Sequence, residues 1–349
     1  MLIATLLILT LGIAVIFSSN EVLAIQQALY GMVGILCYFF LKFFDYRSIT
    51  PLIKYAYIAA CILLLITLFL GFESRGSIRW ISLGWVNIQP SELAKPVIIL
   101  TLAYFWKRHL PTWRNIFLSF LFISPIFIMI FRQPDLGTAL TILFIWGVML
   151  IASNLTLGKA ALLISTLLIT IPSSWFFLHD YQKQRIISFL SPESDPQGIG
   201  FHVIQSTIAV GSGQLWGRGL GRGTQSRLQF LPEFRTDFIF AFIAEELGMI
   251  GSLMVLLLYS TIFYFCIRYL NRAGERFGEL IIVGVMAMMF FQIVVNIGMN
   301  IGILPITGIT LPLLSYGGSS LISTLICLGL VASVAKFGLR KKEVSTIGI

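Results

Sequence analysis

Apolar residues fall along this chain in long unbroken stretches, not in the alternating or one-sided patterns of soluble strands and helices. A membrane-spanning helix needs roughly 20 predominantly apolar residues. Ten stretches approach or meet that length: Leu2–Phe17, Leu23–Leu41, Leu52–Gly71, Leu93–Trp106, Ile116–Phe131, Leu136–Ile151, Ala160–Leu178, Phe238–Arg268, Leu280–Met299 and Leu313–Phe337. The pattern predicts an all-α polytopic integral membrane protein of about ten transmembrane helices, forming one membrane domain over residues 1–349. The widest interval, about residues 179–237 between spans 7 and 8, is predicted as one large loop. Within it Ser191-Pro192-Glu193-Ser194-Asp195-Pro196 reads as turns and 198–223 as a glycine-rich stretch.

Composition agrees with that class. Of 349 residues 57% are hydrophobic and only 11% charged, and the mean hydropathy of +0.92 lies outside the range of soluble domains. Cys37, Cys61, Cys266 and Cys327 all fall inside apolar stretches without paired or metal-like spacing, and read as small packing residues. The first stretch begins at Met1 without a basic leader and reads as a retained span. His109, His179 and His202 show no ligand spacing, so no structural metal is expected.

Charge sets the expected orientation. Lys42, Arg47, Lys107, Arg108, Arg114, Lys159, Arg268, Arg272, Arg276, Lys336, Arg340, Lys341 and Lys342 all fall on one side if ten spans are counted. Basic residues near span ends mark the cytoplasmic side, so both termini are expected in the cytoplasm and the 179–237 loop outside it. The net charge of +9 follows mostly from this topology, and no nucleic-acid-binding motif is present. Arg75, Arg79, Arg132, Lys183, Arg185, Arg218, Arg222, Arg227 and Arg235 lie on the opposite side against the usual bias, where they could hold something anionic.

A few ionisable groups stand inside or at the edge of apolar stretches, where a charge is costly unless it is paired or used. Asp237 sits where a polar loop gives way to an apolar helix; a carboxylate there can also satisfy free N–H groups of the first helical turn. Glu245 and Glu246 lie about 12 to 14 Å further along that helix, one expected to pair with a basic or polar group and the other to face a cavity. Glu92 and Lys95, three apart, share one helix face. Asp135 is placed to cap the helix that starts at Leu136. Arg75 and Arg79 flank a segment with Trp80 and Trp85 at the expected headgroup level, and a guanidinium there suits a diphosphate or lipid headgroup as well as plain anchoring. Ser315, Gly317 and Gly318 belong to a run, Ser315-Tyr316-Gly317-Gly318-Ser319-Ser320, with Pro305 and Pro312 upstream. That run predicts close backbone packing, or the wall of a cavity.

Five ordered motifs go further than composition: Arg75-Gly76-Ser77-Ile78-Arg79-Trp80-Ile81, Gln89-Pro90-Ser91-Glu92-Leu93-Ala94-Lys95, Arg132-Gln133-Pro134-Asp135-Leu136-Gly137-Thr138, the stretch from Gln205 to Gly248, and Asn296 through Pro305-Ile306-Thr307-Gly308-Ile309 to Ser320. Together they resemble the SEDS family of bacterial cell-wall proteins over most of the chain. Gly223-Thr224-Gln225-Ser226, Leu228, Phe230 and Leu231-Pro232-Glu233 are more similar to its elongation-type branch than to the division or sporulation branches. Gln214 departs from the family pattern, standing where a glycine usually follows Gly211-Ser212-Gly213, and glutamine reaches positive φ less readily.

The resemblance implies a peptidoglycan glycosyltransferase of the bacterial cytoplasmic membrane, acting at its outer face on lipid II, a disaccharide-pentapeptide on undecaprenyl diphosphate. It also implies a class B penicillin-binding transpeptidase and other elongation-complex proteins as partners. Glycan polymerisation needs a base for a sugar hydroxyl and positive charge for a departing diphosphate. The family's Thr-Asp-Phe aspartate matches Asp237 as that base. Its Gln-Pro-Ser-Glu-x-x-Lys motif matches Glu92 and Lys95, with Lys95 able to pair with Asp135 in a polar cavity. No cofactor is demanded; a divalent cation, magnesium or manganese, bridging the diphosphate is left open, with Asp237 and Glu92 as oxygen donors. The alternative from a different class is a lipid flippase or transporter, which also fits many spans with intramembrane charges.

Overall fold

Asn20, Thr112 and Asp135 each stand just ahead of an apolar stretch, and each accepts a hydrogen bond from a backbone N–H three residues on. The distances are 3.0 Å from Leu23 to Asn20 Oδ1, 3.3 Å from Asn115 to Thr112 Oγ1 and 3.1 Å from Thr138 to Asp135 Oδ1. These oxygens satisfy N–H groups that a first helical turn leaves unpaired. The computed structural model describes residues 1–74, 77–82, 84, 87–177, 180–191, 199–223 and 234–346. Its helices are α1 (Leu2–Phe17), α2 (Glu21–Phe43), α3 (Ile53–Leu70), α4 (Pro90–Arg108), α5 (Trp113–Arg132), α6 (Leu136–Ala152), α7 (Leu157–Ser174), α8 (Asp180–Leu190), α9 (Ile199–Ser212), α10 (Ile239–Leu270), α11 (Arg276–Asn300) and α12 (Gly318–Thr346). Arg75, Trp85 and the elongation-type stretch 224–233 lie outside the described residues.

Each predicted apolar stretch lies on one of these helices. Among the described residues six segments are long and apolar enough to cross a membrane: Glu21–Phe43, Tyr46–Leu70, Trp113–Arg132, Ile239–Leu270, Arg276–Asn300 and Gly318–Gly338. α1, α6 and the first part of α7 are apolar but shorter, and α4 carries Glu92, Lys95, Lys107 and Arg108. Large apolar side chains face outward, with Leu36 at 64% and Phe69 at 83% exposed, while Gln27, Lys95, Asp135, Glu245, Asn296 and Asn300 are buried. That distribution is the one expected where the outer surface meets hydrocarbon and polar groups must be satisfied within the protein.

Two features depart from the predicted pattern. The segment after α3 forms a small antiparallel sheet, β1 (Phe72–Ser74), β2 (Ser77–Ser82) and β3 (Asn87–Ile88), with Phe72 opposite Trp80 and Ile81 opposite Ile88. Strands this short leave too few residues for a period of two to stand out. α8 and α9 occupy part of the interval read as one large loop, α9 within its glycine-rich stretch, while Pro192 to Pro196, read as turns, lie outside the described residues. α9 buries Val203, Ser206 and Ala209, three residues apart and so on one face.

Contacts divide the chain into two units, one of Met1–Ser153, Leu257–Gln292 and Pro312–Ile349, the other of Asn154–Leu256 and Ile293–Leu311. The core of the first is built from Ile98, Ile99 and Leu102 of α4, Phe277, Leu280, Ile281 and Val285 of α11, and Leu325, Leu328 and Val331 of α12.

The second unit is organised by a break in α10. Gly248 has φ 68 and ψ −163, which interrupts the helical ladder. Residues 213–221 supply the missing partners. Met249 and Ile250 donate their N–H groups to Gln214 O at 2.8 Å and Leu215 O at 3.3 Å, while Arg218 and Gly219 donate to Glu245 O at 3.0 Å and Glu246 O at 2.9 Å. The two backbones pass so closely that a Cβ on Gly213 would lie 1.8 Å from Ala244 O, and one on Gly217 2.1 Å from Glu246 O. Gln214 itself has φ 48: the position that departs from the family's glycine pattern keeps a left-handed backbone, at a cost of about 1–2 kcal/mol.

Gly213→Ala is expected to destabilise the protein by about 1–3 kcal/mol or more, because the methyl meets backbone that cannot move aside. Gly211→Ala, two residues away with open space at its Cβ, is expected to be neutral or to gain up to about 1 kcal/mol of helix propensity. Gln214→Gly is expected to raise stability by relieving the left-handed strain. Thermal unfolding in detergent reads all three, and equal losses for the two alanines would show that the loop does not thread the break.

Candidate active site

Asp237 lies in the turn that leads into α10, and its backbone carbonyl is gripped from α11. Asn296 Nδ2 donates to it at 2.9 Å and Asn300 Nδ2 at 3.0 Å. The two asparagines are four apart and therefore on one helix face, and both are fully buried. Asn300 Oδ1 accepts from Ala241 N at 3.0 Å, Asn296 Nδ2 also reaches Ile309 O at 2.7 Å, and Ser206 Oγ donates to Asn300 O at 2.9 Å. One pair of amides thus joins the Asp237 turn, the start of α10, the 306–309 loop and α9. The Asp237 side chain is half-buried, and its Oδ2 lies 3.7 Å from where a Cβ on Gly308 would stand.

Further along α10, Glu245 and Glu246 are both buried. Glu246 Oε1 accepts the Gly221 N–H at 2.7 Å, and the carbonyls of both residues accept from the same loop. One of the two was expected to pair with a basic or polar group, and Glu246 fastens the glycine-rich segment across the helix break.

In the first unit the polar motifs meet at the start of α4. Lys95 Nζ lies 2.6 Å from Glu92 Oε2, with both side chains buried. Asp135 caps α6 through Oδ1, while its Oδ2 accepts from Gln89 Nε2 at 3.2 Å and Ser91 Oγ at 3.4 Å. Arg79 Nη1 lies 3.9 Å from Asp135 Oδ1; its Nε donates to Gln133 O at 3.3 Å and its Nη2 to Pro134 O. The pairing of Lys95 with Asp135 that the resemblance implies is therefore replaced by two others, Lys95 with Glu92 and Asp135 with Arg79. Glu92 is one helical turn from Lys95, and Asp135 is already engaged by its cap and by three side chains. Arg79 braces the Gln133-Pro134-Asp135 turn, which is a different task from holding a headgroup.

The serine-glycine run packs closely, as its composition predicts. Gln27 Nε2 donates to Ser315 O at 3.0 Å and its Oε1 accepts from Gly317 N at 3.2 Å. A Cβ on Gly318 would meet the Tyr30 ring at 2.8 Å. Ser319 Oγ accepts from Gln89 N at 3.0 Å, and Ser323 Oγ donates to Glu92 O at 2.7 Å. α2, α4 and α12 are tied together by these bonds.

The sequence profile of the FtsW, RodA and SpoVE proteins, described as cell cycle proteins, matches residues 1–339. The chain belongs to this FtsW/RodA/SpoVE family, the SEDS family. It is 44% identical over 286 residues to the peptidoglycan glycosyltransferase MrdB of Escherichia coli K12, covering 80% of this chain and 76% of that one. Among solved structures it is similar to a chain of a peptidoglycan synthase complex in which polymerization and crosslinking are coordinated, with a TM-score of 0.83, 34% identity and 96% of each chain covered. It is also similar to the rod shape determining protein RodA of Thermus thermophilus, with a TM-score of 0.73, 29% identity, and 97% and 96% covered.

The fifth motif includes Asn296 and Asn300 but gives neither a role, and Gln27 lies outside all five motifs. The signal that finds them is an amide inside an apolar stretch, which needs internal partners. Among the described residues no group of three or more His, Cys, Asp or Glu could hold a metal ion, and Glu92 is in contact with Lys95.

Breaking the buried pair from one side, by Glu92→Gln or Lys95→Met, is expected to cost about 3–5 kcal/mol of stability. The double variant Glu92→Gln/Lys95→Met is expected to lose less than the sum of the two. The exchange Lys95→Asp with Asp135→Lys is expected to restore nothing. Thermal unfolding of the five proteins decides, and recovery in the exchange would show that Lys95 faces Asp135 after all.

Proposed function

We propose that this protein is a peptidoglycan glycosyltransferase that polymerises lipid II into glycan strands at the outer face of the cytoplasmic membrane during cell elongation and rod-shape maintenance. The observation that carries the reading is family membership with 44% identity to a relative named for that activity. It favours the enzyme over a flippase. Polymerisation joins a hydroxyl of one sugar to C1 of another as the diphosphate leaves, and Asp237 is the base that takes the hydroxyl proton. The amide grip on its carbonyl suits that role, since it fixes the backbone while the carboxylate stays half-exposed. Preorganisation of this kind spares the site from reorganising as charge develops.

Lys95, Glu92, Asp135 and Arg79 act on this reading by holding α4, α6 and the small sheet in place, and lipid II meets the chain beside Asp237. A class B penicillin-binding transpeptidase is the partner, supported by the likeness to a chain of a synthase complex that couples polymerization to crosslinking. The ten-span topology, with both termini cytoplasmic and the 179–237 interval outside, rests on the distribution of basic residues.

Asp237→Asn, nearly isosteric but unable to take the proton, is expected to lower glycan-strand synthesis from labelled lipid II by about 10²–10⁴ while leaving thermal stability and transpeptidase binding unchanged. Near-normal strands from this variant, resolved on gels with the partner present, would remove Asp237 from the chemistry.

Orientation is tested separately. In a background without the four native cysteines, Gly198→Cys and the exposed Arg222→Cys are expected to react with a membrane-impermeant thiol reagent in cells whose cytoplasmic membrane is intact. Arg272→Cys, also exposed, is expected to react only after lysis. The reverse pattern would put Asp237 on the cytoplasmic side and end the reading of an outer-face polymerase.

A further inference from the structure

Ala152 ends α6 and Arg276 begins α11, and both line a cavity of about 430 Å³. Leu270, Leu280 and Val283 give this cavity apolar walls, while Asn271, Arg276 and Glu279 give it polar ones. Arg276 Nη2 donates to Ala152 O at 2.6 Å, and its Nη1 lies 3.6 Å from Glu279 Oε2. The second separation is a charge contact too long for a hydrogen bond. The Arg276 and Glu279 side chains are 33% and 36% exposed, so both charges are open to a ligand that enters the cavity. Leu270 ends one segment long and apolar enough to cross a membrane and Arg276 begins the next, which puts the cavity at the level of the lipid headgroups.

We infer that this cavity is a binding site for a zwitterionic phospholipid, phosphatidylethanolamine, with the phosphate on Arg276 and the ammonium on Glu279. The site is separate from the Asp237 chemistry and does not depend on it. A guanidinium alone would favour any anionic headgroup, since it keeps its charge and suits phosphate oxygens. Glu279 changes that preference, because a purely anionic headgroup leaves its carboxylate facing a second negative charge. A headgroup that carries an ammonium a short step from its phosphate answers both side chains at once. The two helix ends act in the same sense: the carbonyl end of α6 favours the ammonium and the N–H end of α11 favours the phosphate. Choline has no N–H to donate to the Glu279 carboxylate, so phosphatidylcholine fits less well. Leu270, Leu280 and Val283 offer apolar surface to the first carbons of the acyl chains. A lipid seated there joins the end of α6 to the start of α11.

Competition among dioleoyl phosphatidylethanolamine, phosphatidylglycerol and phosphatidylcholine for the delipidated full chain in detergent, read by native mass spectrometry, tests the site. The wild type is expected to retain phosphatidylethanolamine in preference to the other two. Glu279→Gln is expected to lower that preference about two- to fivefold, the scale of one partly exposed ion pair. Glu279→Asp, which keeps the charge on a shorter stem, is expected to fall between and serves if the glutamine variant does not fold. Arg276→Gln is expected to weaken retention of all three lipids, since each carries the phosphate. Glu21→Gln, which alters another exposed carboxylate in the first turn of a span, is expected to change nothing. Glycerophosphoethanolamine, the headgroup without acyl chains, is expected not to displace the lipid at equal concentration. No preference in the wild type, or a preference that both Glu279 variants leave intact, would overturn the proposal and leave Arg276 as a cap on α6 alone. An equal loss in Glu21→Gln would show a general effect of charge and overturn the cavity as the seat of binding. Displacement by glycerophosphoethanolamine would overturn the lipid in favour of a soluble ligand. Retention of lipid is read without glycan synthesis, so each of these outcomes stands whatever the protein polymerises.

Discussion

The backbone of α10 is broken at Gly248, and in an apolar surrounding every N–H and C=O that the break releases has to find a partner inside the protein. The glycine-rich segment 213–221 meets that demand with four backbone hydrogen bonds, two on each side of the break, and with the Gly221 N–H held by Glu246. Much of the second unit follows from this. The first half of α10 is locked to the end of α9 through the loop, and that half carries Asp237 at its entrance. An unbroken helix would have left Gln214, Leu215, Arg218 and Gly219 without these partners.

The same constraint explains why buried amides hold the backbone of the turn at Asp237. Asn296 and Asn300 supply donors and acceptors that backbone groups can use without adding a charge to the interior. In the first unit the charges are arranged differently. Lys95 and Glu92 neutralise each other inside α4, and Asp135 is surrounded by Arg79, Gln89 and Ser91. Buried pairs of this kind contribute little net stability but punish the loss of either member, so they favour one arrangement of α4 and α6 over its alternatives.

A Cβ on Gly308 would lie 3.7 Å from Asp237 Oδ2 and 4.0 Å from Arg185 Nη1, so three separated parts of the chain come together here: the turn before α10, helix α8, and the loop after α11. Each is braced by backbone carbonyls that accept from buried or partly buried side chains.

Much of this was determined by the sequence alone. Ten apolar stretches coincide with ten of the twelve described helices, because a span must be apolar along its whole length and the signal is therefore strong and local. The five motifs identified the family and singled out Asp237, and the missing glycine at Gln214 marked the place where the backbone is left-handed. Tertiary structure decided the partners. The spacing of Glu92 and Lys95 allowed their contact, but whether Lys95 would turn to Glu92 or to Asp135 depended on which groups Arg79, Gln89 and Ser91 had already engaged. The small sheet after α3 was too short to show a period, and α9 lies at the start of a glycine-rich stretch that reads as loop. Arg185 looked like any outer arginine, because its nearness to Asp237 is set by residues more than 100 positions away in Ile306 and Gly308. Hydropathy is a property of neighbours in sequence, whereas the pairing of buried polar groups is a property of neighbours in space.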